Sequence, residues 1–276
     1  MSQHFAASQR SSSGHAPDVV SRDPATRWIP GFHDRRGDVR LLCFPHAGGG
    51  ASTFAGWHQY FRRIAVCPVQ YPGRETRWGE AMPDQLQVMV DSIADDLASV
   101  WREPFALFGH SFGALVAFEL AHALLRRNAG LPLRLFLSGA RAPHLPPRPN
   151  LHALPDALFL ERVSEFNGLP QEVQQNAELI RLMLPILRSD FRLLESHSFK
   201  TAAKLPVAIS VFGGLSDATA PPGDIVAWST ATTKAFRSRF LAGDHFFLFH
   251  AVAELAGFMA DDLAATATLA AIRQRG

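Results

Sequence analysis

Residues 105–113 read FALFGHSFG: an apolar run leads into Gly109-His110-Ser111-Phe112-Gly113, and Leu115, Phe118, Ala121 and Leu125 then follow at helical spacing. A serine held between two glycines on a strand-to-helix turn is the pattern of a nucleophile elbow. Each residue type has a physical reason. The sharp turn puts the serine in a strained backbone conformation at the strand tip. The positions two residues away must lack side chains so that strand and helix can approach closely. The helix N-terminus then directs backbone N–H groups at the reacting oxygen. Ser111 is the candidate nucleophile.

An elbow serine needs a base and an acid, and folds of this kind supply them in the chain order Ser, Asp or Glu, His. Gly243-Asp244-His245 lies between the last strand-like run and the last helical one, so His245 is the candidate base. His250 falls inside the expected helix, and the other histidines precede any plausible acid. Asp217 sits just past the apolar run Val207–Phe212 and is the candidate acid. Asp224, which reads as a helix N-cap, is second in line. Asp244 is the immediate neighbour of His245 and badly placed to reach its ring. In this arrangement Asp217 orients the imidazole, His245 takes the Ser111 proton, and an acyl-enzyme forms.

The developing oxyanion requires two N–H donors. One is expected from Phe112, the residue after the nucleophile, and the other from the loop after the first strand. That loop reads Phe44-Pro45-His46-Ala47-Gly48-Gly49-Gly50-Ala51. Ala47 N–H is the candidate, with His46 lining the pocket. A glycine run can also cradle phosphate, but here no Lys-Ser/Thr follows it.

The elements that must hold these residues alternate between short apolar runs and amphipathic stretches, the mark of a mostly parallel sheet with helices on both faces. Together with the elbow this predicts an α/β-hydrolase fold. Strands are expected at Val39–Phe44, Ile64–Gln70, Phe105–Phe108, Leu133–Leu137, Val207–Phe212 and Arg237–Leu241. Helices are expected at Gln85–Trp101, Gly113–Arg127, Asp224–Thr232 and Phe246–Leu269. The alternation stops at about 145–195, where a Pro-rich opening precedes helical patterns at Asp156–Glu165, Gln171–Leu184 and Pro185–Leu194. Their apolar excess predicts a helical lid inserted above the sheet. Residues 1–36 read as a flexible N-terminal tail and 37–276 as the hydrolase domain.

Composition sets limits. At 276 residues and 47% apolar, the chain is long enough to bury a large core. A net charge of +2 without a dense basic run speaks against nucleic acid. No apolar run has bilayer length and no signal-peptide block opens the chain, so no membrane association and a cytoplasmic location are expected. Cys43 and Cys67 lie in apolar runs and read as buried free thiols rather than a disulfide or metal pair. No metal site is expected.

The motifs FPHAGGGAS, QYPGRE, GHSFGALVAFELA and GDHFFL, in this order over about residues 37–265, resemble the free-standing type II thioesterases of polyketide and nonribosomal peptide assembly lines. The resemblance implies hydrolysis of aberrant or stalled acyl groups from the phosphopantetheine arm of acyl or peptidyl carrier proteins. It implies no resident cofactor, and a monomer is expected. It also implies that the helical insertion at about 145–195 acts as a lid, and the apolar excess there predicts an acyl channel with Phe112 and some of Leu158, Phe159, Met183 and Leu187 near it. Two features depart from the family pattern. Phe112 stands where Met is frequent, and Leu215-Ser216-Asp217-Ala218 replaces an Asp-x-Asp-Pro setting. Chain-releasing thioesterases often carry the acid after the strand following the nucleophile helix. Here that strand ends Ser138-Gly139-Ala140-Arg141, without an acid. Other esterases and lipase-like hydrolases share the elbow and are the alternative reading. Since carrier proteins are generally acidic, Arg74, Arg77, Arg141 and Arg148 are expected to form a docking rim above the strand ends.

Overall fold

The computed structural model describes residues 24–100, 103–146, 150–168, 171–198 and 203–273. In chain order the elements are α1 (Pro24–Trp28), β1 (Val39–Phe44), β2 (Ile64–Pro68), α2 (Leu86–Val100), β3 (Phe105–His110), α3 (Phe112–Arg126) and β4 (Arg134–Ser138). There follow α4 (Asp156–Ser164), α5 (Gln171–Gln174), α6 (Ala177–Ser196), β5 (Ala208–Gly214), α7 (Pro222–Val226), β6 (Phe236–Leu241) and α8 (Val252–Arg273). The six strands form one sheet in the order β2-β1-β3-β4-β5-β6, and all five pairings are parallel. All six expected strands are present, with ends that shift by at most two residues.

Side chains alternate across the sheet, as period-2 geometry requires. Leu42, Phe44, Leu107 and Ile209 enter one core with α2, α3 and α7. Leu41, Cys43, Phe108 and Phe212 enter a second, on the opposite face, with Phe54, Trp57 and α8. Burial on both faces explains why the strands read as continuous apolar runs. The elbow leaves β3 at the carboxyl end of this sheet, where the loops after β1, β5 and β6 also emerge.

Several helix boundaries differ from the sequence expectation: α8 begins at Val252 rather than Phe246, the helix expected at Asp224–Thr232 is α7 followed by a 3-10 turn at Ala227–Ala231, and the one expected at Gln171–Leu184 is split between α5 and α6. Two further differences concern the N-terminal segment and the lid. Residues 1–23 lie outside the described residues, but 24–36 are part of the domain. Ala25, Trp28, Ile29 and Phe32 are buried in the first core, and Trp28 Nε1 donates to Asp96 on α2 at 2.7 Å. Four apolar side chains within eight residues bury enough surface to hold the segment down, despite its polar neighbours. In the lid, α6 runs through Pro185 rather than restarting there. Proline removes one intrahelical donor, but Ile186, Leu187, Phe191 and Leu193 are buried on the far side of it, and their packing carries the helix on. Asn176 caps its start by accepting from the N–H groups of Glu178 and Leu179. The inserted helices have a small core of their own, built on Phe159, Val163, Leu187 and Phe191.

Candidate active site

Ser111 follows β3 with φ 55° and ψ −117°, a conformation that L-residues rarely adopt and that is concentrated at functional turns. The turn is over-determined. Ser111 N–H donates to Ser138 O at 2.7 Å, extending the β3–β4 ladder into the elbow. A β-carbon at Gly109 would be driven into the Gly113 carbonyl, and one at Gly113 into the Phe44 carbonyl of β1. Both glycines are therefore required by close approach.

His245, in the loop between β6 and α8, places Nε2 3.0 Å from Ser111 Oγ. Its Nδ1 lies 2.9 Å from Asp217 Oδ2. Asp217 follows β5, and its second oxygen accepts from Thr219 N–H (2.8 Å), Thr219 Oγ1 (2.6 Å) and Ala220 N–H (3.1 Å). Burial alone would raise the Asp217 carboxyl, but the bonds from His245 and Thr219 outweigh it and hold the group below its ordinary value. The acid is thus ionised wherever the imidazole is to be oriented. Thr219 Oγ1 is also 2.8 Å from His245 Nδ1. Only its position two residues after the candidate acid, as in an Asx-type turn, marked it in the sequence.

The rival acids have other partners. Asp224 lies within the first turn of α7 instead of capping it, and pairs with Arg141. Asp244 braces the loop, accepting from Phe246 N–H (2.9 Å) and from Asn167 of the lid (2.8 Å). His250 is exposed on the turn before α8.

Two further histidines crowd the site. His110 is buried, with its ring 5.1 Å from that of His245 and Nδ1 2.9 Å from Ser138 Oγ. His46 packs edge-on to Phe246 at 5.0 Å, and its Nδ1 lies 2.9 Å from Ala47 O. Burial pushes His110 well below the usual imidazole range and His46 down to about 4. Both rings are neutral near pH 7, so neither opposes the positive charge that His245 must accept.

Phe112 opens α3, so its N–H has no partner within the helix and is available at the elbow. Its ring is fully buried against Tyr71 in the main core. Ala47 lies between that core and the lid core. Of the expected channel residues, Phe159 and Leu187 are buried in the lid core and Met183 is packed against it. Leu158 is 37% exposed, because helical geometry turns the Phe159–Val163 face inward and leaves position 158 outside. Phe166, which the lid's apolar pattern contains but chemistry did not single out, has its ring 6.4 Å from that of His245.

Among the described residues, the expected arginine rim does not form. Arg74 and Arg77 are only 4% and 6% exposed. Arg77 pairs with Glu80 at 2.6 Å and lies over the Trp28 ring. Arg74 pairs with Asp190 of α6 at 2.5 Å. Arg141 is held by Asp224, and Arg148 lies outside the described residues. The motif that carries Arg74 instead braces the glycine loop after β1. Gln70 Oε1 accepts from Ala51 N–H at 3.1 Å, Arg74 donates to Gly49 O at 3.2 Å, and Glu75 accepts from Ser52 Oγ at 2.6 Å. Gln70, Arg74 and Arg77 are buried because their polar groups find partners in the glycine loop, in Asp190 and in Glu80, while Glu75 stays exposed.

A serine on a strained elbow, relayed through an imidazole to an ionised carboxylate on an all-parallel α/β sheet, has the geometry of a serine hydrolase of the α/β-hydrolase class. Residues 39–263 match the thioesterase domain model, and the chain belongs to that family. It is 38% identical to the gramicidin S biosynthesis protein GrsT of Aneurinibacillus migulanus over 227 residues, 82% of this chain and 89% of the relative. It is 36% identical to the thioesterase PikA5 of Streptomyces venezuelae over 242 residues, 87% and 86% of the two chains. Among solved structures, the prodiginine-pathway thioesterase RedJ of Streptomyces coelicolor superposes with a TM-score of 0.76 at 37% identity, covering 80% of this chain and 90% of that one. The type II thioesterase BorB of the borrelidin cluster gives 0.77 at 31%, covering 86% and 97%. Among the described residues, no helix is long and apolar enough to cross a membrane.

Proposed function

We propose that this thioesterase hydrolyses acyl groups from the phosphopantetheine arm of acyl or peptidyl carrier proteins, removing aberrant or stalled chains from a polyketide or nonribosomal peptide assembly line. The observation that carries the chemistry is the bonded relay Ser111–His245–Asp217. The pathway reading rests on the similarity to thioesterases of such pathways.

In the first half-reaction His245 Nε2 takes the Ser111 proton as Oγ bonds to the thioester carbon. The oxyanion is held by the N–H groups of Ala47 and Phe112. Collapse breaks the carbon–sulfur bond, and the imidazolium returns its proton to the leaving thiolate. Water then replaces the thiol. His245 removes a proton from the water as its oxygen bonds to the acyl carbon, the bond from that carbon to Ser111 Oγ then breaks, and the proton passes back to Oγ with release of the acid. Throughout, Asp217 stabilises the imidazolium without itself being protonated. No resident cofactor takes part, since the phosphopantetheine arrives on the partner. The relay is complete within one chain, so a monomer suffices, and a cytoplasmic location would place it among carrier proteins.

The test is a panel of acyl groups presented on a carrier protein and on a small thiol, with Ser111→Ala in parallel. The substitution should reduce turnover by roughly 10⁴ or more, and mass spectrometry of the intact enzyme should place the acyl adduct on Ser111. An adduct on Cys43 or Cys67, or undiminished turnover, would overturn the assignment.

A further inference from the structure

The oxyanion loop is held from the lid. Asp190 lies on the buried half of α6, where its neighbours Ile186, Leu187, Phe191 and Leu193 are apolar. Its carboxylate reaches out of the helix to the loop after β1. Oδ2 accepts from Gly48 N–H at 2.8 Å. The same carboxylate is gripped in a fork by Arg74, Nη1 on Oδ2 at 2.5 Å and Nη2 on Oδ1 at 2.8 Å. Arg74 Nη1 continues to Gly49 O. Arg74 and Asp190 side chains are 5% and 3% exposed.

This arrangement bears on the neighbouring residue. Gly49 N–H donates to His46 O at 3.0 Å, closing the turn across Ala47 and Gly48. In a trans peptide the Ala47 N–H points away from the His46 carbonyl of the same unit. Fixing that carbonyl therefore fixes the direction of the Ala47 donor. The next peptide, Ala47–Gly48, has its carbonyl 2.9 Å from His46 Nδ1 and its N–H on Asp190. Gly48 sits at φ +79°, a region glycine shares between several states, and its N–H is the group that Asp190 takes. Leu187, one turn before Asp190, packs against the open face of Gly48.

Stability alone is a poor account of this ion pair. Exchanging a buried pair for apolar residues of similar volume is often neutral or stabilising. What an apolar pair at 74 and 190 could not do is accept the Gly48 N–H. We propose that Asp190, charge-balanced by Arg74, is the positioning residue of the oxyanion site: a lid-helix carboxylate that holds Gly48 and so aims the Ala47 N–H at the acyl oxygen on Ser111. Gly48 N–H, being committed to Asp190, is not itself a donor to substrate. The inference rests on Ala47 serving as an oxyanion donor to a Ser111 nucleophile, and it is independent of the identity of the acyl carrier.

Two double variants isolate the acceptor from the charge. Arg74→Met with Asp190→Leu removes both. Arg74→Met with Asp190→Asn removes the charges and keeps an oxygen for Gly48 N–H. Each is compared with the unmodified protein for melting temperature, for kcat and KM on an acyl N-acetylcysteamine thioester, and for the rate of Ser111 phosphonylation by a fluorophosphonate, which places charge on an oxygen in the same site. The leucine pair should lose about 10²-fold in kcat and in phosphonylation rate, with KM changed by no more than about threefold. The asparagine pair should be at least tenfold faster than the leucine pair in both assays, at a similar melting temperature. If the leucine pair does not fold, Asp190→Glu serves instead: it keeps the charge, displaces the acceptor by a methylene, and should cost about tenfold or more in kcat. Equal rates for the two double variants, a loss confined to KM, or an unaffected Asp190→Glu enzyme would overturn the proposal. If the unmodified protein reacts with the fluorophosphonate but not with thioesters, the thioesterase reading fails while the phosphonylation rates still decide the role of Asp190.

Discussion

Two buried carboxylates of this molecule sit in opposite regions and illustrate opposite uses of charge. At the carboxyl ends of the strands, Asp217 has no arginine on it among the described residues. Its partners are His245, a hydroxyl and two backbone N–H groups. Nearer the amino ends, Asp262 of α8 is saturated. It takes Arg237, Arg239 at 2.8 Å and Ser210 Oγ at 2.6 Å, and Ser210 accepts in turn from Arg134. Asp262 is neutralised by its arginines and ties β4, β5, β6 and α8 together. Asp217 is left with an imidazole as its main counter-charge, so its field falls on the group that would become positive in the proposed reaction. Burial is similar at the two sites, and partner choice separates the carboxylate of the proposed relay from the one that braces the scaffold.

The comparison breaks if exchanging either acid for its amide gives the effect assigned to the other. The larger effect should be at Asp217. Asp217→Asn keeps the shape but cannot fix the tautomer or favour the imidazolium, so turnover should fall roughly 10²–10⁴-fold at nearly unchanged melting temperature. Asp224→Asn, seven residues on, should leave turnover within a few-fold. A crippled Asp224→Asn enzyme beside an active Asp217→Asn one would reassign the acid.

Asp262→Asn should do the reverse. Burial would raise this carboxyl, but the arginines and Ser210 outweigh it and lower it to about 2. A group depressed in the folded state stabilises above its unfolded pKa and loses that contribution as pH falls through the folded value. The contribution is therefore complete above about pH 4 to 5 and fades toward pH 2, with a magnitude of roughly 2–3 kcal/mol. Urea titrations of the unmodified and Asp262→Asn proteins should differ by about this much at pH 7 and converge near pH 2, with kcat unaffected at pH 7. A constant difference across that range would mean that packing, not charge, is what Asp262 supplies.

The same contrast explains which parts of the site could be read from the sequence. That Ser111, His245 and Asp217 come together was legible because their placement depends on local context: a strand end, a glycine spacing, an order along the chain. The strands were legible because both faces are buried and the apolar runs are unbroken. Arg74 and Arg77 were misread because arginine in a loop is ordinarily solvated. Their burial depends on Asp190, 116 residues away in Arg74's case, and on Trp28 in a segment whose composition resembles a tail. Asp190 itself looks like one more polar position on an amphipathic helix. Pro185 reads as a helix start by local chemistry, and tertiary packing overrides it. Long-range pairing is the information that composition and periodicity do not contain.

The smallest expected effect tests the orientation of the lid. Leu158 and Phe159 are adjacent in α4, and helical geometry separates their directions by about 100°. Phe159 is fully buried against Phe191, ring centroids 5.4 Å apart, while Leu158 faces outward. On this geometry Leu158 does not border the acyl channel. Leu158→Ser should therefore shift stability by no more than about 0.5 kcal/mol, as for an ordinary surface substitution, and leave kcat and KM for acyl thioesters of any chain length unchanged. Phe159→Ala empties the lid core and should alter KM for longer acyl groups. A chain-length-dependent rise in KM for Leu158→Ser would mean that α4 presents its other face to substrate when the acyl group is bound. The lid core would then have to open during turnover instead of closing over Ser111 as a preformed unit.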